Sequence, residues 1–166
     1  MKVYFSHGKE SGPWGSKIKR LADICKTRKF TVESIDYTDM ANPDLRVERL
    51  ITSLQKEQED ILLVGSSMGG YVSLVASEMV NTRGIFLLAP ALYMEGYERQ
   101  TFPSRENIEI VHGWSDDVIP VEHSIRFAKE VDCPLHIISG DHRLNTSINV
   151  VADLFSRFLD RLPGHG

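Results

Sequence analysis

Short apolar runs alternate with longer amphipathic segments along the whole chain, and this alternation limits the possible folds more than any other feature. Six runs have the length of a strand, at 3–5, 30–35, 61–64, 84–88, 108–111 and 135–138. Segments of helix length separate most of them and follow the last one, and an irregular stretch at about 89–107 separates the fourth from the fifth. Strands that are apolar throughout are typical of a parallel sheet covered by helices on both faces. The sequence therefore predicts one three-layer α/β/α domain over residues 1–166.

Composition and charge are those of an ordinary globular protein and argue against two kinds of partner. Apolar residues make up 42% of the chain, charged residues 25%, and the net charge is −4. A negative net charge argues against nucleic acid or an anionic membrane as partner. No apolar run approaches membrane-spanning length, and a strand at Val3 leaves no room for a signal peptide, so we expect a cytoplasmic protein. Cys25 continues the apolar stripe of the first helix and is expected to be a buried thiol in a reducing compartment.

Residues Gly65–Gly69 form the pattern G-x-S-x-G between the third predicted strand and a helix with almost no charge. A serine on such a sharp strand-to-helix turn is crowded by its neighbours unless they lack side chains. The helix N-terminus below Ser67 offers free N–H groups to an anion. The alternative interpretation is a glycine-rich turn that binds phosphate or nothing, although the nucleotide motifs G-x-G-x-x-G and G-K-[ST] are both absent.

Polar residues follow three further strands, at the sheet edge where parallel folds place their sites. His7 follows the first strand, Asp116 and Asp117 follow the fifth, and His142 follows the sixth. Ser67, one of the two aspartates and His142 occur along the chain in the order Ser…Asp…His. A loop histidine is by itself usually a surface residue, and an aspartate before a helix is usually a capping group. The hypothesis of a serine-histidine-aspartate triad therefore depends on all of these residues occurring together. The pattern does not decide whether Asp116 or Asp117 is the acid.

Taken together, these motifs resemble those of small α/β-hydrolases of the serine esterase and thioesterase type, over nearly the full chain. The resemblance is greatest to compact bacterial esterases of the YqiA kind and to the related acyl-protein thioesterases of the abhydrolase family. It implies Ser67 as nucleophile, Asp116 as acid and His142 as base, with the backbone N–H groups of Met68 and Lys9 as oxyanion-hole donors. It also implies a truncated fold of strand order 2-1-3-4-5-6, without the family's first two strands and without a helical lid.

The activity implied is two-step acyl transfer from a small ester or thioester to water, with no metal or organic cofactor. The short connection after the fourth strand favours short acyl groups. Tyr71, Tyr93 and Trp114 are expected near the rim of the site, where they would contact the substrate. The remaining histidines, His123, His136 and His165, receive no functional role. The alternative is a non-catalytic, hydrolase-like protein that acts by binding a partner, and the sequence does not predict an oligomeric state.

Overall fold

Six parallel strands form a single sheet in the order β2-β1-β3-β4-β5-β6. We describe it from a computed structural model that covers residues 1–164, so that His165 and Gly166 lie outside the described residues. The strands are β1 (Lys2–Ser6), β2 (Thr31–Ile35), β3 (Ile61–Ser66), β4 (Thr82–Leu88), β5 (Ile108–Gly113) and β6 (Leu135–Ile138). Every neighbouring pair is parallel. The predicted fold class and strand order are confirmed.

A helix follows every strand except β4, whose connection to β5 contains none. The helices are α1 (Ser16–Thr27), α2 (Pro43–Leu54), α3 (Met68–Ala76), α4 (Val121–Val131) and α5 (Ile148–Arg161). At the start of α2 the Asn42 side chain accepts hydrogen bonds from the backbone N–H groups of Asp44 and Leu45, at 2.8 and 3.0 Å. Among residues 1–164, no helix is long and apolar enough to cross a bilayer.

Helix α3 begins earlier than its composition suggests, because two glycines lie inside its first turn. The sequence places the helix after Gly70, whereas the structure begins it at Met68. A Cβ atom at Gly69 would lie 1.9 Å from the carbonyl oxygen of Ser6, at the end of β1. Only glycine allows this close approach, so the packing of α3 beneath the sheet outweighs the low helix propensity of the residue.

The two faces of the sheet carry separate apolar cores. One core packs α2, α3 and α4 against the sheet, with Leu50, Leu74 and Phe127 among its buried residues. The other packs α1 and α5, the first and last helices, against the opposite face through Leu21 and Phe155. Helices therefore cover both faces, and the loops at the carboxyl ends of the strands are left to form a site.

The connection between β4 and β5 is the longest stretch without helix or strand among residues 1–164. Residues 89–107 contain neither helix nor strand, in agreement with the predicted absence of a helical lid. The segment is tied to the body of the domain by polar contacts: the Arg99 guanidinium pairs with Glu78 at 2.6 Å, and its backbone N–H donates to the Tyr71 hydroxyl at 3.0 Å. The segment therefore lies beside α3, and Arg99 near the middle of the segment holds it there.

Candidate active site

Ser67 lies on the turn between β3 and α3 in a sparsely populated backbone conformation. Its φ and ψ angles are 54° and −120°, and such a conformation costs on the order of 1–3 kcal/mol. Hydrogen bonds from both sides hold it in place. The Ser67 N–H donates to the Leu88 carbonyl at 2.9 Å, and the Ser67 carbonyl accepts from the N–H groups of Gly70 and Ala91, also at 2.9 Å. The end of β4 thus fixes the turn that presents the hydroxyl.

His142 and Asp116 meet Ser67 from the loops after β6 and β5. The His142 Nε2 atom lies 3.0 Å from the Ser67 hydroxyl oxygen, and its Nδ1 atom lies 2.7 Å from Asp116 Oδ2. A carboxylate only accepts hydrogen bonds, so Nδ1 carries the proton and Nε2 is left to accept from the serine hydroxyl. The structure thus brings Ser67, His142 and Asp116 together, while Asp117 is exposed.

The Asp116 carboxylate is fully buried and is held by several donors. Its Oδ1 atom accepts hydrogen bonds from the backbone N–H groups of Val118 and Ile119, at 2.9 and 2.8 Å. Burial would raise the pKa of Asp116, but the hydrogen bonds from His142 and from these two amides outweigh it and leave the pKa below its ordinary value. The carboxylate is therefore ionised at neutral pH and able to orient the imidazole.

A second histidine contacts the same carboxylate, and the sequence analysis gave it no role. His112, at the end of β5, has no exposed surface, and its Nε2 atom lies 3.0 Å from Asp116 Oδ2 and 2.9 Å from the Ile119 carbonyl. Both neighbours are acceptors, so Nε2 carries the proton, and Nδ1 accepts from the Ser124 hydroxyl at 2.7 Å. Burial lowers the pKa of His112, which keeps it neutral. The available signal was its spacing, four residues before Asp116 at a strand end.

A cavity of about 800 Å³ opens above Ser67 and His142. Residues from the β1–α1 loop, the start of α1 and the loop after β6 form one part of its lining. The segment 89–107 contributes Ala91, Met94 and Tyr97. Met68 and Lys9 both line this cavity, and among residues 1–164 no protein acceptor is assigned to the backbone N–H of either.

The three aromatic residues expected at the rim lie elsewhere. Tyr71 is fully buried, with its hydroxyl bonded to Asp44. The Tyr93 hydroxyl is directed to Glu130 at 2.6 Å, and the Trp114 side chain is 63% exposed. None of the three lines the cavity, and Tyr97 is the tyrosine that does. Tyr71 faces into the α2–α3 interface, and Tyr93 itself adopts a left-handed backbone conformation (φ 56°). Neither feature can be read from the local sequence.

Comparison with known proteins places the chain in a family. The family model of UPF0227, described as an uncharacterised protein family, matches residues 1–112. The chain belongs to this family. A crystal structure from Xanthomonas campestris pv. campestris, assigned to the alpha/beta hydrolase superfamily, is 30% identical, with 97% of this chain and 99% of that chain covered and a TM-score of 0.88.

Two more distant structures share the fold of this UPF0227 member. Est1E from Butyrivibrio proteoclasticus is 16% identical, with 95% of this chain and 86% of that chain covered and a TM-score of 0.77. An α/β serine hydrolase without a lid, also from X. campestris, is 17% identical, with 98% and 83% covered and a TM-score of 0.70. No curated protein matches the chain. The predicted resemblance to small α/β-hydrolases is confirmed, and the fold of these neighbours supports a hydrolase.

Proposed function

We propose that this protein hydrolyses carboxylic esters or thioesters of short acyl groups through an acyl intermediate on Ser67. The observation that carries the proposal is the continuous hydrogen-bonded chain from the Ser67 hydroxyl through His142 to the buried Asp116 carboxylate. A nucleophile within hydrogen-bond reach of a base, which is itself oriented by a third group, is the arrangement that activates serine. The chain order of the three residues and the α/β-hydrolase fold add to this support.

In the acylation step, His142 accepts the Ser67 proton at Nε2 as the hydroxyl oxygen attacks the substrate carbonyl carbon. Asp116 holds the imidazole so that Nε2 faces the hydroxyl, and its charge stabilises the imidazolium that forms. His142 then donates this proton to the leaving alcohol or thiol as the tetrahedral intermediate collapses. In the second step the same histidine takes a proton from a water molecule as the water attacks the acyl group. His142 then returns this proton to the Ser67 oxygen as the tetrahedral intermediate collapses and the acid leaves.

The tetrahedral intermediates carry a negative oxygen that needs hydrogen-bond donors. The backbone N–H groups of Met68 and Lys9 line the cavity without an assigned protein acceptor. We assign them as the oxyanion-hole donors, each worth on the order of 3 kcal/mol in the transition state. The position of Met68 at the start of α3 adds the positive end of that helix to the same stabilisation.

Labelling and turnover of matched serine variants test the proposal. The wild type should react with a fluorophosphonate probe and hydrolyse p-nitrophenyl acetate, because the base activates the serine. Ser67→Ala should abolish labelling and lower turnover by up to about a millionfold, with its thermal unfolding nearly unchanged. Ser66→Ala is the control and should keep both properties. A wild type that is neither labelled nor active as an esterase would favour the alternative, a non-catalytic binding protein. Labelling of Ser66 would assign Ser66, and not Ser67, as the nucleophile.

A further inference from the structure

Positively charged side chains are concentrated in one part of the catalytic cavity. Lys9 comes from the β1–α1 loop, Lys17 from the first turn of α1 and Arg143 from the residue after His142. Among residues 1–164, none of these three forms a salt bridge, whereas nine lysines and arginines away from the cavity do. These nine are Lys2, Lys26, Arg28, Arg49, Arg83, Arg99, Arg126, Arg157 and Arg161. The cavity therefore holds cations without counter-ions of their own.

Lys17 is the most enclosed of the three cations. Its side chain is partly buried, and its ammonium nitrogen donates one hydrogen bond, to the Arg143 carbonyl at 3.2 Å. Burial lowers the pKa of Lys17 to about 8, with Asp116 and Asp141 opposing the decrease and Arg143 adding to it. The ammonium is therefore charged at neutral pH, while two of its three donor positions have no acceptor within residues 1–164.

The carboxylates that face Lys17 are engaged elsewhere. Asp116 binds His142 and two backbone amides, as described above, and Asp141 accepts from the N–H groups of Arg143 and Leu144, at 3.1 Å each. Glu10 and Glu95 also line the cavity, but neither forms a salt bridge with Lys17 or with any other described residue. A partly desolvated ammonium without a carboxylate partner is unfavourable until an anion pairs with it.

We propose that the substrate carries an anionic group, a carboxylate or a phosphate, and that Lys17 binds this group while Ser67 attacks the ester. This inference rests on the proposed function and narrows it to anionic esters and thioesters. Lys9 and Arg143 contribute to the positive potential around the same group. The cavity residues Ala91, Met94 and Tyr97 then contact the uncharged part of the substrate.

A competing explanation is that Lys17 only supports the loop that carries His142, through its hydrogen bond to Arg143. The two roles differ in their substrate dependence. Loss of loop support would slow hydrolysis of every ester, because His142 acts on all of them. Loss of an anion-binding residue would slow hydrolysis of anionic esters alone.

The experiment compares matched esters that differ by one charge. p-Nitrophenyl hydrogen adipate and p-nitrophenyl methyl adipate place the charge on the acyl side, and 4-acetoxybenzoate and its methyl ester place it on the leaving group. Lys17→Met should lower kcat/KM for the anionic member of at least one pair by roughly ten- to a hundredfold, the value of a charge-assisted hydrogen bond. The neutral members should change by less than about twofold. Lys19→Met removes an exposed lysine of the same helix that lies outside the cavity lining, and should change neither.

The pH dependence of the ratio of kcat/KM for the anionic and the neutral ester gives a second test. A purely structural role of Lys17 would not affect this ratio. Lysine is charged below its pKa, so the preference of the wild type for the anionic ester should fall as the pH rises from 7 to 9. The ratio for the matched pair removes pH effects on the catalytic residues, which act on both esters. In Lys17→Met the ratio should be independent of pH.

Two results would overturn the inference without affecting the proposed function. Equal kcat/KM values for anionic and neutral esters in both wild type and Lys17→Met would show that no anion is bound. An equal loss for both members of each pair in Lys17→Met would assign Lys17 to loop support. A wild type that cleaves none of the four esters and fails to react with the fluorophosphonate would instead reject the proposed function, and this inference with it.

Discussion

At the scale of single residues, the Asp116 carboxylate is the most constrained group of the site. Its Oδ2 atom is shared by two imidazoles, those of His142 and His112, and its Oδ1 atom accepts two backbone N–H groups. The three hydrogen bonds from His142, Val118 and Ile119, with the His112 Nε2–H group 3.0 Å away, leave little of its charge uncompensated. The donor from His112 therefore competes with the bond that orients His142, and the balance between them sets how strongly the imidazolium is stabilised.

His112 is expected to be a positioning residue with a measurable effect on the pH profile. His112→Leu removes one donor from Asp116 and leaves more of its charge for His142. The acid limb of the kcat/KM profile should then move to higher pH, because the protonated imidazole is stabilised in the free enzyme. The imidazolium that forms in the transition state is stabilised as well, so kcat/KM on the alkaline plateau should not fall.

His112→Gln provides the matched control, because its side-chain amide can donate where Nε2 does. This variant should restore the position of the acid limb to within experimental error of the wild type. If His112→Leu loses thermal stability but keeps the pH profile of the wild type, His112 fills space in the core and does not tune the carboxylate. Profiles measured with a neutral ester keep the titration of Lys17 out of the comparison.

At the scale of elements, the close packing of α3 under β1 is what places the Ser67 hydroxyl. Gly69→Ala would put a Cβ atom 1.9 Å from the Ser6 carbonyl oxygen, so α3 has to move away from the strand. We expect a loss of about 3 kcal/mol or more in the free energy of unfolding, which lowers the Tm by roughly 10 °C. Turnover should fall as well, because Ser67 moves with the helix.

Gly12→Ala is the control for that substitution, since a Cβ atom at Gly12 meets nothing within 4 Å. Its stability should change by no more than about 0.5 kcal/mol. Differential scanning calorimetry of both variants gives the comparison. A Gly69→Ala protein that melts within about 2 °C of the wild type would mean that the helix and strand adjust without strain.

The elements could be predicted from the sequence because each has a physical signature of its own. Apolar runs define the buried strands, and Asn42 with Pro43 marks the start of α2 at the position where the structure begins it. The chain order of Ser67, Asp116 and His142 was enough to expect them at one sheet edge. The sequence does not predict in which direction a side chain points at a strand end or a helix start, because tertiary packing sets that direction. For this reason the sequence predicts neither the contact of His112 with Asp116 nor the exposure of Lys17 to the cavity.

The directions of Tyr71, Tyr93 and Trp114, which were wrongly expected at the rim of the site, could not be predicted for the same reason. Tyr93 has a positive φ angle that turns its ring toward α4, where the Arg126 guanidinium lies 3.8 Å from the ring centroid. Nothing in the local sequence predicts a left-handed tyrosine, because the conformation is unfavourable for a bulky residue and is imposed by the surrounding packing. Its hydroxyl is engaged by Glu130, which leaves Tyr93 a structural role.

At the scale of the whole molecule, the irregular segment 89–107 limits what the cavity can enclose. This segment adds no helix that folds over the site, so a long acyl chain would extend into water. A buried methylene contributes about 0.8 kcal/mol, equivalent to about fourfold in kcat/KM for each carbon. We expect this increase to stop after a few carbons in a series of p-nitrophenyl esters from two to sixteen carbons. A value that keeps rising beyond about ten carbons would contradict the proposed preference for short acyl groups.

The pairing of the first and last helices on one face of the sheet also has a consequence for biosynthesis. Val3, Phe5 and Leu62 on that face are covered partly by α5, which is synthesised after all six strands. While the ribosome still holds Ile148–Arg161, the strands already released expose this apolar surface to water. A nascent chain in that state is prone to aggregation. We therefore expect chains that lack α5 to aggregate, and addition of α5 to close this face of the sheet.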